Sequence, residues 1–284
     1  MNVIDSTRTK IESIFSPLNT VAAAKAFPPL ATLSSHLEKL APVRGIKSTV
    51  IPVPVETAKL FATASVEIWL RAVHSFLISA SLTNVSDIWA SAAGYYSSHY
   101  AVRAFAHVLG HFQLYNKKLI VQLDMVKGKY HCSFDAKHGN DREHKYYWKL
   151  VNNDANFSLN PLFRENKSDI DDSDVGHRDR ANYADHIGRF PNFRPLELTS
   201  LVDRVRFISR IKFDTAPIPC KSRFPDIESV QIVAYHRIVH FRRFLDEVLG
   251  GKNRFWSVYR NPSWSGGVID FQLSEQGGLA ELEK

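Results

Sequence analysis

A chain of 284 residues, 44% of them hydrophobic, carries ample apolar material for a buried core and reads as globular, in one domain or two. Lys and Arg outnumber Asp and Glu by 36 to 29, and the formal charge of +7 favours polyanionic partners, nucleic acid or anionic lipid, without bearing on the fold. The two cysteines, Cys132 and Cys220, lie far apart and form no CxxC pair, which points to neither a disulfide framework nor a zinc knuckle and fits a reducing compartment.

Asp5, Arg8, Lys10 and Glu12 fall where a signal peptide would need its apolar core, so secretion is not expected. Residues 1–50 read as an N-terminal helical extension of two short helices separated by Pro28-Pro29. The first places Ile4, Ile11, Ile14 and Phe15 on one face, and the second lies around Leu33 to Leu40. A proline-spaced stretch, Ile51 to Val55, leads into a long helix from Glu56 to about Ser81. The most apolar window, Leu60 to Leu82, is interrupted near its middle by Glu67, Arg71 and His74, each costly inside a bilayer. No membrane span and a cytoplasmic location are therefore expected. Beyond Thr83-Asn84, Asn84 or Ser86 serves as N-cap and Asp87 sits in the first turn of a second long helix to Phe112, antiparallel to the first.

From Lys118 the apolar period changes to two, and the runs Lys118–Val126 and Lys129–Phe134 read as a β-hairpin inserted near 118–135. Arg142 to Val151 reads as one helix. Asn152 to Asp174, with an Asn-Pro step and the acidic run Asp169–Asp174, reads as a long exposed loop and the most mobile region. A third helical zone begins near His177 and is interrupted at Gly188 and Pro191. Leu196 to Phe213 follows as an amphipathic helix with Leu198, Leu201, Val202, Val205, Ile208 and Ile211 at helical spacing. Pro217, Pro219 and Pro225 end that piece. Asp226 then caps a helix to about Leu249, with Ile232, Tyr235, Val239 and Leu245 toward the core and Gly250-Gly251 closing it. Residues 251–284 form a C-terminal tail. The expected fold class is mainly α, with residues 51–250 as a helical bundle domain.

Four constellations carry possible chemistry. His99, Arg103, His107 and His111 recur every fourth residue, and each step of four turns a helix by about 40° net, so they climb one face as neighbours. Imidazole moves protons near neutral pH and guanidinium holds phosphate, which are the parts of phosphodiester chemistry. The plainer alternative is a polar stripe, solvated or satisfied inside a bundle. His107 with His111 and His236 with His240 have metal-binding spacing. However, Val108 and Arg237 stand where a zincin has Glu, and Arg103 and Arg237 would repel a cation, so no metal or other cofactor is expected.

The segment His177–His186 gathers Arg178, Arg180, Asn182, Tyr183 and His186, either as a site at an element boundary or as a capped, solvated helix start. Arg237, His240 and Arg243 on the last long helix make either a basic groove or an ordinary solvated surface. Arg254–Arg260 and Trp264 interleave aromatics with arginine as single-strand stacking surfaces do, although aromatics more often fill cores. The Asp169–Asp174 run lacks the glycine position and the closing Glu of a calcium loop.

The stretch Ala92-Ala-Gly-Tyr-Tyr-Ser-Ser-His-Tyr-Ala-Val-Arg-Ala-Phe-Ala-His-Val-Leu-Gly110 resembles the central helix of HEPN-domain proteins, which reads as paired tyrosines, Ala-x-Arg-Ala and a terminal Gly. The resemblance covers residues 57 to 113 best. It implies an up-and-down helical bundle, often dimeric, and in many members a metal-independent ribonuclease of toxin, antiphage or RNA-processing systems, while other members only bind. The family's signature is Arg, four to six residues, then His. Arg180 and His186, with five between, match that spacing; Ala181 departs from the usual polar residue, and Arg103 to His107, with three between, misses it. On this resemblance Arg180 would hold the scissile phosphate and His186 would assist proton transfer at the 2′-hydroxyl. Arg178, Asn182, Tyr183, Arg103, His107 and His99 would line the substrate.

Three functions remain open on sequence. One is a HEPN-like endoribonuclease of a toxin or defence system acting on RNA, as a homodimer or with a cognate partner protein. The second is a non-catalytic module binding nucleic acid or protein, and the third a metal enzyme using the histidine pairs.

Overall fold

The computed structural model describes residues 5–20, 35, 39, 48–50, 55–113, 120–126, 129–134, 142–163, 201–211 and 227–249. These are mainly α-helical. The helices are α1 (Asp5–Thr20), α2 (Val55–Ser81), α3 (Asp87–Val108), α4 (Glu143–Asn153), α5 (Leu201–Arg210) and α6 (Ile227–Val248), with a 3-10 turn at Pro161–Phe163. The strands β1 (Ser48–Val50), β2 (His111–Gln113), β3 (Ile120–Val126) and β4 (Lys129–Phe134) form an antiparallel sheet in the order β1-β4-β3-β2. Its register pairs Val126 with Lys129 and His111 with Gln122. The chain divides into two compact units. The first comprises residues 1–68, 102–158 and 243–264, and the second 69–101, 159–242 and 265–284.

In the first unit, α1 turns Ile11, Ile14 and Phe15 inward. The same helix carries two cations to the ends of other helices. Arg8 Nη1 donates to the carbonyls of Glu247 and Val248 at 3.2 Å, and Lys10 Nζ donates to the carbonyl of Leu109. Last-turn carbonyls have no partner within their own helix, and a cation there also complements the helix dipole. The core is aromatic: Phe105, Phe157 and Phe244 meet with ring centroids 5.0–5.7 Å apart, and Phe61 meets Phe112 at 4.9 Å.

In the second unit, α2 and α3 run antiparallel, since Ser79 faces Ala90 while Ser97 faces Ala72. Each serine hydroxyl donates to the opposite carbonyl, at 2.6 and 2.8 Å. Gly94 on α3 lets both neighbours close in, since a Cβ there would stand 2.7 Å from Cγ1 of Val230 on α6 and 3.1 Å from Oγ of Ser79 on α2. Trp69 donates its indole N–H to the carbonyl of Ile238 and stacks on Phe241. Gln231, fully buried, donates to the carbonyl and hydroxyl of Ser79 and to the hydroxyl of Thr83, and accepts from Arg204 Nε at 2.9 Å. One amide thus satisfies its own polar atoms while tying α2, α5 and α6 together, as a buried polar group must.

Several expectations change. The helix after Asn84 starts on Ser86, whose hydroxyl accepts the Trp89 N–H, and ends at Val108 rather than Phe112. Gly110 stops it with φ 88°, a backbone state open to glycine. His111 therefore lies on β2 and drops off the helical ridge. Asn152–Phe163 is not an exposed loop: it finishes α4, turns on Asp154 and buries Phe157 and Phe163. The sequence there is polar, but its few aromatics suffice to anchor it. On α6, Ile238 rather than Val239 is buried.

Leu60–Ser81 of α2 is long and apolar enough to cross a bilayer by length and composition alone, and most of it is buried within the protein, which accounts for its composition as that of a core helix. The second helix of the N-terminal extension and the segments 164–200 and 250–284 lie outside the described residues, apart from Ser35 and Lys39, both helical.

Candidate functional site

Arg103 and His107 stand one turn apart on α3, and Glu143 and Tyr147 stand one turn apart on α4. Spacing of four brings each pair onto one face of its helix, and these two faces meet in the first unit. Arg103 Nη1 bonds Glu143 Oε1, and its guanidinium carbon lies 5.3 Å from the centroid of the Tyr147 ring, a cation–π distance. Arg103 Nε donates to His107 Nε2 at 3.4 Å.

Beyond Gly110 the chain reverses into β2. This sets Phe112 against His107, with centroids 4.5 Å apart, and lets the Gln113 N–H donate to the Tyr147 hydroxyl at 3.1 Å. Tyr147 also meets His107 edge-on at 5.9 Å.

Burial holds His107 well below its ordinary pKa of 6.5. The adjacent Arg103 cation adds to this, the backbone of Ala64 works the other way, and His111 lowers it a little further. The ring is therefore neutral at pH 7. Because Nε2 accepts from Arg103, the proton belongs on Nδ1, which is sealed from solvent without a well-aligned partner. Burial likewise pushes the Tyr147 hydroxyl up to about 12. The Arg103 side chain is 16% exposed and that of Glu143 34%, so the ion pair sits at the rim of the buried rings.

This arrangement is charge-compensated. Glu143 offsets the Arg103 charge, and a neutral, enclosed His107 has no route to a substrate hydroxyl. The cluster therefore braces α3, α4 and β2 rather than offering an open cation. His99, the third ridge residue, belongs to the second unit, buried, with its ring stacked 6.3 Å from Tyr95. The ridge thus resolves into a braced pair, Arg103 and His107, a core histidine, and His111 on a strand.

The other constellations fare differently. Arg237 lines no basic groove and no solvated face: it is buried and donates Nε to the carbonyl of Leu162 at 2.8 Å. His240 bonds Asn160 and packs on Phe163, and His236 bonds the carbonyl of Ile211. Among the described residues no three His, Cys, Asp or Glu side chains converge to hold a metal ion. Arg178, Arg180, Asn182, Tyr183 and His186 lie outside the described residues, as do Arg254–Arg260 and Trp264.

Glu143 and Tyr147 carry no sequence signal beyond their spacing of four on an amphipathic helix. No family model, curated protein or solved structure matches the chain.

Proposed function

We propose that this chain is a HEPN-like, RNA-acting helical protein, a metal-independent endoribonuclease of a toxin or antiphage defence system working in the cytoplasm, with Arg180 and His186 as its catalytic pair. The observation that carries the reading is the segment Ala92–Gly110. Its paired tyrosines, Arg103-Ala104 and terminal glycine lie along one buried core helix that stops at a positive-φ Gly110. Because Glu143 neutralises Arg103 and His107 is enclosed, the chemistry moves to Arg180 and His186, whose spacing matches the family signature. Arg180 holds the scissile phosphate and His186 assists transfer of the 2′-hydroxyl proton.

The test is cleavage of mixed cellular RNA by the full chain in the presence of a chelator, beside Arg180→Ala and His186→Ala. Expected is cleavage by the wild type that both substitutions abolish. Intact RNA, or substituted proteins that cleave as well as the wild type, would sink the catalytic reading.

The braced, neutralised state of the Arg103 cluster favours one second reading, a non-catalytic module that binds nucleic acid or a partner protein. Binding that weakens steeply with salt, without cleavage, would support nucleic acid; binding flat across salt would support protein.

A further inference from the structure

The outer face of α5 sets an exposed aromatic ring among arginines. Successive helical residues are about 100° apart, which places Asp203, Arg206, Phe207 and Arg210 within one face of about 100°. All four are exposed, while Val205 and Ile208 on the opposite face are buried. Phe207 is 46% exposed, whereas Phe61, Phe76, Phe105, Phe112, Phe157 and Phe163 are all fully buried. Exposure alone does not mark the ring out, since Trp89 is 64% exposed on α3; its arginine neighbours do.

The ring is also held in place. The Arg204 guanidinium carbon lies 5.3 Å from the Phe207 ring centroid, and Arg204 Nε donates to Gln231 Oε1, which Ser79 and Thr83 fix in turn. Hydrogen bonds anchored on the buried Gln231 thus fix the guanidinium that flanks the surface ring. On the same face Arg206 and Arg210 are exposed, one before the ring and one a turn after it in the helix, and no carboxylate of the described residues pairs with either. Asp203, the one acid on this face, sits in the first helical turn, where a carboxylate complements the helix dipole.

We propose that this face is a docking surface for single-stranded RNA, with a base stacked on Phe207 and flanking phosphates held by Arg206 and Arg210. The inference deepens the RNA-acting reading and rests on it for the class of ligand. Charge complementarity selects the occupant: the face is cationic, the whole chain carries +7, and a pre-oriented aromatic beside two exposed arginines fits a base with its neighbouring phosphates. Arg204 is a positioning residue, since it orients the ring through Gln231.

The experiment measures binding of a labelled oligouridylate and its 2′-deoxy counterpart to the full chain by fluorescence anisotropy across a salt series. The deoxy strand cannot be cleaved through a 2′-hydroxyl, so binding is read apart from catalysis. Expected is binding of both strands. The double substitution Arg206→Gln with Arg210→Gln should flatten the slope of log affinity against log salt by about 1.4, at roughly 0.7 per phosphate released. Phe207→Ala should weaken binding about 5- to 150-fold with the slope unchanged, the range of one aromatic–base stack. Phe207→Trp should keep wild-type affinity, which separates lost stacking from lost folding.

Wild-type affinity and slope in Phe207→Ala and the double variant would overturn the proposal. So would failure of either strand to bind at low salt, or capture of phosphatidylserine vesicles through these residues in place of the oligonucleotide. Binding through Phe207 without cleavage leaves this surface standing and fails only the catalytic pair. Cleavage with binding indifferent to Phe207 does the reverse.

Discussion

Substituting Gly94 by alanine tests how closely α6 approaches α3. A Cβ at position 94 would stand 2.7 Å from Cγ1 of Val230 and 3.1 Å from Oγ of Ser79. Carbon atoms in contact prefer about 3.5–4.0 Å, so the neighbours must withdraw by roughly an ångström. Neither yields easily. Val230 is β-branched and stiff at χ1. Ser79 Oγ is committed on both sides, donating to the carbonyl of Ala90 and accepting from Gln231.

Overpacking of this kind costs about 1–3 kcal/mol, while alanine in place of glycine inside a helix returns about 1 kcal/mol. The net loss is then about 1 kcal/mol, a fall in Tm of roughly 2–4 °C for a chain of this size. Circular dichroism melts of the wild type, Gly94→Ala, Val230→Ala and the double variant provide the assay. Val230→Ala alone leaves a void costing roughly 1–2 kcal/mol, and the methyl group that Gly94→Ala introduces partly fills it. The double variant should therefore be more stable than additivity allows, by about 1 kcal/mol. A Tm raised by Gly94→Ala, or strictly additive losses, would refute the close approach.

Three further outcomes are expected. Glu143→Gln leaves the half-buried Arg103 without its carboxylate and should lower unfolding stability by roughly 1–2 kcal/mol, between the surface and buried limits for ion pairs, as measured by urea titration. Because the folded-state pKa of His107 is depressed, the unfolded chain takes up its proton first, so this residue's contribution is fully present above pH 6.5 and is lost as pH falls below it. The wild type's unfolding free energy from urea titration should decline as pH falls from 7 to roughly 5, at up to about 1.4 kcal/mol per pH unit, and His107→Leu should flatten that decline. Gln231→Leu strips the amide N–H groups shared among Ser79 and Thr83 and the acceptor of Arg204, and should cost roughly 2–4 kcal/mol in the same titration, whereas an exposed change such as Lys145→Gln should stay within about 0.5 kcal/mol.

The sequence by itself determined the helices whose apolar spacing recurs over several turns. Ile11, Ile14 and Phe15 on α1, Val205 and Ile208 on α5, and the antiparallel α2 and α3 were all legible, because burial on one face imposes a helical period that no partner is needed to reveal. It also marked Arg103 and His107 as neighbours.

What it left open was decided by segments far apart in the chain. Glu143 neutralises Arg103 from 40 residues away, Leu162 receives Arg237 across 75, and Gln231 reaches Ser79 across 152. Whether a cation is an open site or a brace depends on which carboxylate, carbonyl or ring the fold brings to it, and local spacing holds no record of that. His111 left the ridge for the same kind of reason: Gly110 adopts a left-handed turn and β2 pairs with β3, so the four-residue period ends at a backbone reversal that only the tertiary structure fixes.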